Sequence, residues 1–246
     1  MSASAADAQT IAHPKSFLMA SSAAHMTPQE RTSSFSLASI FALRMFGLFI
    51  ILPVFAVYAR ELPGGDSETL VGITLGIYGL TQGLLQIPFG VASDRLGRKP
   101  VIIFGLIIFA LGSFLAASGA NIWIVMLGRM LQGAGAISAA VTAFIADSVR
   151  VQVLTKAMAM VGASIGLTFA LSLLISPPLT KLWGVSGLFT LTGISALIAV
   201  LVVKFVVPPA PQSAIDEKNE HRSWRKVVCD PQLVRLNIGI FVLHAV

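Results

Sequence analysis

The residues with chemical capacity are few and oddly placed. Arg44 and Arg129 each stand inside a long apolar run. Gln132 follows Arg129 at the spacing of one helical turn, so these two share a helix face. A guanidinium held mid-helix in lipid costs about 2.5 to 17 kcal/mol, depending on how it is measured. Each arginine must therefore face a bundle interior, a water-filled cavity or an acidic partner, or reach the headgroups along its own stem. The other concentration of charge is Gly90-Val91-Ala92-Ser93-Asp94-Arg95-Leu96-Gly97-Arg98-Lys99-Pro100, set between two apolar runs. Asp94 and Arg95 can pair or cap a helix end. Gly97 permits a tight reversal. Arg98 and Lys99 suit a headgroup region, and Pro100 can open the next helix.

Other chemistries are excluded by residue type and spacing. There is no Gly-Lys-Ser or Gly-Lys-Thr to cradle a phosphate. His13, His25, His221 and His244 are not paired at metal-ligand spacing, so no metal or cofactor is expected. No Ser-His-Asp arrangement offers itself, so no enzyme is expected. The single cysteine forms no intrachain disulfide. No Asp or Glu falls near the middle of an apolar run; Asp147 stands at a segment end.

The elements that position these residues are membrane helices. Only 11% of the 246 residues are charged, against about 25% for a soluble globule. Several segments exceed the length of apolar residues that marks a spanning helix. The spacing predicts six, near 35–58, 70–92, 101–117, 122–146, 155–179 and 186–207. The second carries Gly72, Gly76, Gly79, Gly83 and Gly90 mostly three or four apart, a small-residue stripe that lets a neighbouring helix approach closely. Residues 1–34 read as a disordered cytoplasmic N-terminus and 35–207 as a six-transmembrane-helix bundle. Residues 208–232 read as a cytoplasmic linker, with Trp224, Val227 and Val228 able to form one side of an interfacial helix. Residues 233–246 begin a seventh helix, about 21 Å long at 1.5 Å per residue, short of a hydrocarbon core of ~30 Å.

The net charge of +6 is a topology signal, because the bases lie between apolar runs and not on one nucleic-acid-binding face. Arg95, Arg98 and Lys99 mark one turn, Arg150 and Lys156 another, and Lys218, Arg222, Arg225 and Lys226 the linker. Acids outnumber bases in the turn with Arg60, Glu61, Asp66 and Glu68. By the positive-inside rule the basic turns and the N-terminus are cytoplasmic.

These motifs resemble a known family. Gly90-x-x-x-Asp94-Arg95-x-Gly97-Arg98-Lys99 resembles the signature between the second and third helices of the major facilitator superfamily. Arg129-x-x-Gln132-Gly133-x-Gly135 resembles its fourth-helix signature. Gly162, Gly166 and Pro177 match part of the fifth-helix signature of its proton-coupled antiporters. Ser176 stands where that pattern usually has glycine, and Thr180 where it often ends in glycine. The resemblance spans about Phe35 to Val246 and is to bacterial inner-membrane drug or sugar efflux proteins.

It implies a twelve-helix carrier of two six-helix halves, with a small-molecule substrate between them. By resemblance, Gly90, Asp94, Arg95, Gly97, Arg98 and Lys99 form a cytoplasmic gating motif that latches the second helix to the eleventh. Arg129, Gln132 and Arg44 serve transport and proton coupling, while Gly162, Gly166 and Pro177 let the fifth helix pack and bend against the eighth. Asp147 and Arg150 join a cytoplasmic charge network. The expected function is proton-coupled efflux of a small amphipathic compound, in the lipid bilayer of the bacterial inner membrane. The chain itself is expected to be a truncated N-terminal half whose missing C-terminal half completes the carrier. A sugar or metabolite uniporter or importer, and an inactive or partner-binding membrane fragment, stand as alternatives.

Overall fold

The computed structural model describes residues 25–208 together with 231, 232, 234 and 235. The chain divides into two units, Met1–Ala210 and Pro211–Val246. The described residues of the second are helical. The expected seventh helix and interfacial helix otherwise fall outside the described residues, as do residues 1–24 of the expected disordered terminus.

The described part of the first unit is all helix and connection. Helix α1, Pro28–Phe49, opens on a capping box: Thr27 Oγ1 accepts from the Glu30 nitrogen at 3.2 Å, and Glu30 accepts from the Thr27 nitrogen at 2.7 Å. Residues 28–34 were expected to be disordered and are helical instead. The Thr-Pro-x-Glu start signal sits in that polar stretch, ahead of the first apolar residue. After a break at Ile50–Ile51, α2, Leu52–Glu61, completes the first apolar crossing. Pro53 has no N–H to give the Phe49 carbonyl, which helps to explain the break.

Helix α3, Glu68–Leu96, is capped by the Ser67 hydroxyl, which accepts from the Leu70 nitrogen. Gly97, at φ 93°, turns the chain directly into α4, Arg98–Ala117. That positive φ suits glycine and few other residues. Asn121 caps α5, Ile122–Ala134, through the Ile124 nitrogen at 3.0 Å. The expected continuous segment then breaks at Gly135–Ile137 and resumes as α6, Ser138–Ser148. The last helix, α7, runs Val151–Phe205 and contains one non-helical residue, Gly184, at φ 66°.

Fifty-five residues exceed one crossing, and side-chain contacts show two. Before α7, Arg150 bonds Glu30 at the end where α1 starts. After α7, the Val207 carbonyl accepts from Lys99 at the end where α4 starts. Just past Gly184, the Ser186 hydroxyl donates to the Ala117 carbonyl at the opposite end. The chain reverses at Gly184, so the five long apolar helical stretches, the last of them folded back on itself, are compatible with the six crossings expected.

Packing follows the same axis. One apolar cluster, with Leu37, Phe41, Ile102, Phe144 and Val203, fills the charged end. Another, with Ile51, Phe55, Val125 and Phe189, fills the opposite end. Between them lie Tyr78, Phe109, Ala110 and Ala196. Large apolar side chains such as Leu84, Ile87, Leu174 and Phe205 point outward, as lipid requires.

Candidate functional site

The two arginines belong to the interior. Arg44 and Arg129 are each only 1% exposed, so neither reaches the headgroups. Arg44 lies on α1 and donates from Nη1 to Ser138 Oγ at 3.2 Å and from Nη2 to Gln82 Oε1 at 3.0 Å. It thereby ties the first crossing to the second and to α6, the second half of the fourth. Its guanidinium carbon lies 5.7 Å from the centre of the Phe109 ring.

Arg129 lies on α5 and donates to Gln132 Oε1 at 3.1 Å, on the face that the spacing predicts. Gln132 passes the chain on, donating to Ser113 Oγ at 2.8 Å, and Ser113 donates to the Phe109 carbonyl at 2.8 Å. The Arg129 guanidinium lies 4.7 Å from the centre of the Tyr78 ring, a cation–π contact strengthened by exclusion of water. Gly133 makes this stacking possible: a methyl group there would lie 2.3 Å from the Tyr78 carbonyl oxygen. Both arginines stand less than two turns before the break in their own crossing. Gln82, Ser113 and Ser138 were not singled out in sequence. Their signal is a polar residue on the inner face of an apolar helix, which needs the neighbouring helix to be read.

The charged end is built around Arg98. Its Nη1 lies 2.7 Å from both Asp94 Oδ1 and Ser93 Oγ, and its Nε lies 2.9 Å from Asp147 Oδ2. Ser93 in turn donates to the Gly90 carbonyl at 2.7 Å. Arg98 and Asp147 are almost buried while Asp94 is half exposed. Arg150 does not share this cluster. It grips Glu30 through Nε at 2.8 Å and donates to the His25 carbonyl at 2.9 Å. The hydrogen bond to Glu30 holds its guanidinium above the usual arginine range. Of the two residues expected in a cytoplasmic charge network, Asp147 is thus linked to Arg98 and Arg150 to the start of α1.

The structure separates the glycines. Gly72, Gly76, Gly79, Gly83, Gly162 and Gly166 have nothing within 4 Å of where a side chain would begin. Of the α3 stripe expected to seat a neighbouring helix, Gly90 meets α6, with the Ala139 Cβ 3.7 Å from where its side chain would begin, while Gly72, Gly76, Gly79 and Gly83 seat none among the described residues. Ser176, the departure from the fifth-helix pattern, donates its hydroxyl to the Ile50 carbonyl. The break in the first crossing leaves that carbonyl without a helical donor, because the Val54 nitrogen turns to Ile51. Pro177 follows inside α7.

Long apolar helices, a glycine-turned charged loop and a polar centre carried by arginine are the features of a polytopic membrane protein, and the chain belongs to the Major Facilitator Superfamily, whose profile matches residues 37–246. It is 46% identical over 221 residues to the inner membrane transport protein YajR of Escherichia coli K12, covering 89% of this chain and 48% of that one. It is 35% identical over 127 residues to the class B tetracycline resistance protein of Escherichia coli, covering 51% of this chain and 32% of that one. Among solved structures, the POT family transporter PepTSo superposes with a TM-score of 0.63 at 16% identity, over 76% of this chain and 40% of that one. That likeness concerns the fold alone. The chain spans about half the length of the YajR sequence it matches.

Proposed function

We propose that this chain supplies the N-terminal half of a proton-coupled exporter of small amphipathic compounds. The observation that carries the reading is the buried Arg129–Gln132–Ser113 relay in the middle of a major-facilitator bundle. A fixed positive charge in low dielectric alters the proton affinity of any acid brought near it, which suits it to coupling. The similarity to a tetracycline resistance protein supports export of an amphipathic compound. In this reading Arg44 lines the path, and substrate binds between this half and a second half. The α3 stripe and the Asp94 loop meet the eleventh helix, and Gly162, Gly166 and Pro177 meet the eighth. The basic end, with Arg95, Arg98, Lys99 and Arg150, faces the cytoplasm of a bacterial inner membrane.

Ser176 favours a second reading. Its hydroxyl replaces the glycine of the antiporter pattern, and a uniporter or importer of a metabolite would not need that pattern. The two readings separate in inverted vesicles carrying the full-length carrier, with tetracycline as the probe. Substrate-dependent proton movement in the wild type, lost in Arg129→Ala, is expected. Transport with the same proton dependence in that variant removes the coupling role.

A further inference from the structure

Two guanidiniums lie in the middle of this bundle with no negative charge beside them among the described residues. Each is 1% exposed. The hydrogen-bond partners of Arg44 are Ser138 and Gln82, and that of Arg129 is Gln132; all are neutral. Their stacking partners, Phe109 and Tyr78, are neutral and belong to one packed cluster. Among the described residues every carboxylate stands at or beyond a helix end. Glu30 is held by Arg150, Glu68 by Arg60, and Asp94 and Asp147 by Arg98. Glu61 closes α2, and Asp66 lies in the turn between α2 and α3.

Arginine cannot escape this by losing a proton, as a buried lysine would. Burying two uncompensated positive charges is expensive, and the expense persists only where something repays it. The centre also keeps donors in reserve. Arg44 Nε, Arg129 Nε and the Tyr78 hydroxyl are all buried without a hydrogen-bond partner. They sit around the single Tyr78–Phe109 cluster on which both guanidiniums rest.

We infer that this centre takes an anion, and that the compound carried is a small organic anion: an oxyanion, carboxylate or phosphate-like, on an apolar body. The proposal rests on the transporter reading above and names its substrate class. The oxyanion accepts from the unspent Nε–H and O–H donors, while the apolar body lies against the two rings. A lipophilic cation would meet two fixed positive charges and be repelled. The donors are covered in this conformation. Each arginine stands less than two turns before the break in its crossing, at Ile50–Ile51 and at Gly135–Ile137, so the proposal requires the crossings to part there when the anion enters. A carboxylate from the remainder of the carrier is the other source of the same chemistry, and the test separates the two.

The experiment is thermal unfolding of the full-length carrier in detergent at fixed ionic strength. Benzoate and tetraphenylphosphonium serve as aromatic probes of opposite charge. Millimolar benzoate is expected to raise the unfolding midpoint by several degrees, with no rise from tetraphenylphosphonium. Arg44→Gln and Arg129→Gln should each abolish the benzoate shift, and Arg44→Lys, which keeps the charge but loses the planar fork, should retain part of it. A shift by tetraphenylphosphonium, or a benzoate shift that survives in both glutamine variants, overturns the proposal. So does no shift by either probe, which assigns the counter-charge to a carboxylate of the carrier itself. Proton movement in vesicles reads the coupling separately: its absence in the wild-type carrier, alongside an intact benzoate shift, removes the coupling and leaves the anion site standing.

Discussion

A methyl group on Gly112 would lie 2.5 Å from the Gln132 backbone nitrogen, and one on Gly128 would lie 2.6 Å from the Ala116 nitrogen. On Gly72, Gly76, Gly79 or Gly83 the same group would meet nothing within 4 Å. The first pair is where the third and fourth crossings touch backbone to backbone, and it holds Gln132 within reach of Ser113. The second set lies on the crossing that is least covered, with 17% of its apolar window buried against 56% for the fourth. Glycine spacing thus announces a close approach without saying whose. The conspicuous stripe on α3 and the Gly162–Gly166 pair look away from this bundle, and the unremarked Gly112 and Gly128 hold it together.

The comparison breaks most visibly at Gly128. Replacing it with leucine drives a side chain into the backbone of α4, which cannot yield as a side chain would. Overpacking of this kind costs about 1–3 kcal/mol or more, so at least a tenfold fall in monodisperse, detergent-extracted protein is expected by size-exclusion chromatography. Gly79→Leu should leave the thermal unfolding of residues 1–246 unchanged while abolishing transport by the full-length carrier. A lowered midpoint for the shorter chain would mean that the stripe is covered from within.

The charged end sharpens the contrast between interior and surface. Arg98→Gln removes a partner from nearly buried Asp147, whereas Asp94→Asn releases a half-exposed acid. Exposed pairs are worth about 0–1 kcal/mol, so the first variant should lower the midpoint distinctly more than the second, measured by thermal unfolding. An effect smaller than that of Arg98→Gln and at least as large as that of Asp94→Asn is expected from Ser176→Gly, which puts the glycine of the antiporter pattern in that place. It withdraws the donor from the Ile50 carbonyl, a loss of about 1 kcal/mol, and an unchanged midpoint would show that water or a neighbouring group takes its place.

Much of this was legible from residue types. The crossings follow from apolar length, the Gly97 reversal from its flanking charges, and the Arg129–Gln132 contact from helical spacing. What stayed hidden depends on partners distant in the chain. Glu30 reads as part of a polar terminus until Arg150, far along the chain, is seen to hold it. The break at Gly135–Ile137 lies within an apolar run and is invisible to hydropathy. It becomes intelligible only when Gly135 is found against Gly105, where a methyl group would lie 2.4 Å from the carbonyl oxygen. The neutrality of the partners of Arg44 was equally unreadable, since Gln82 and Ser138 sit on other crossings.

The return at Gly184 has a mechanical consequence. A lone glycine joins the fifth and sixth crossings, so the tether between them has no slack. A tilt imposed on one should therefore pull on the other at the Ala117 end of the bundle, where Ser186 is also tied to α4.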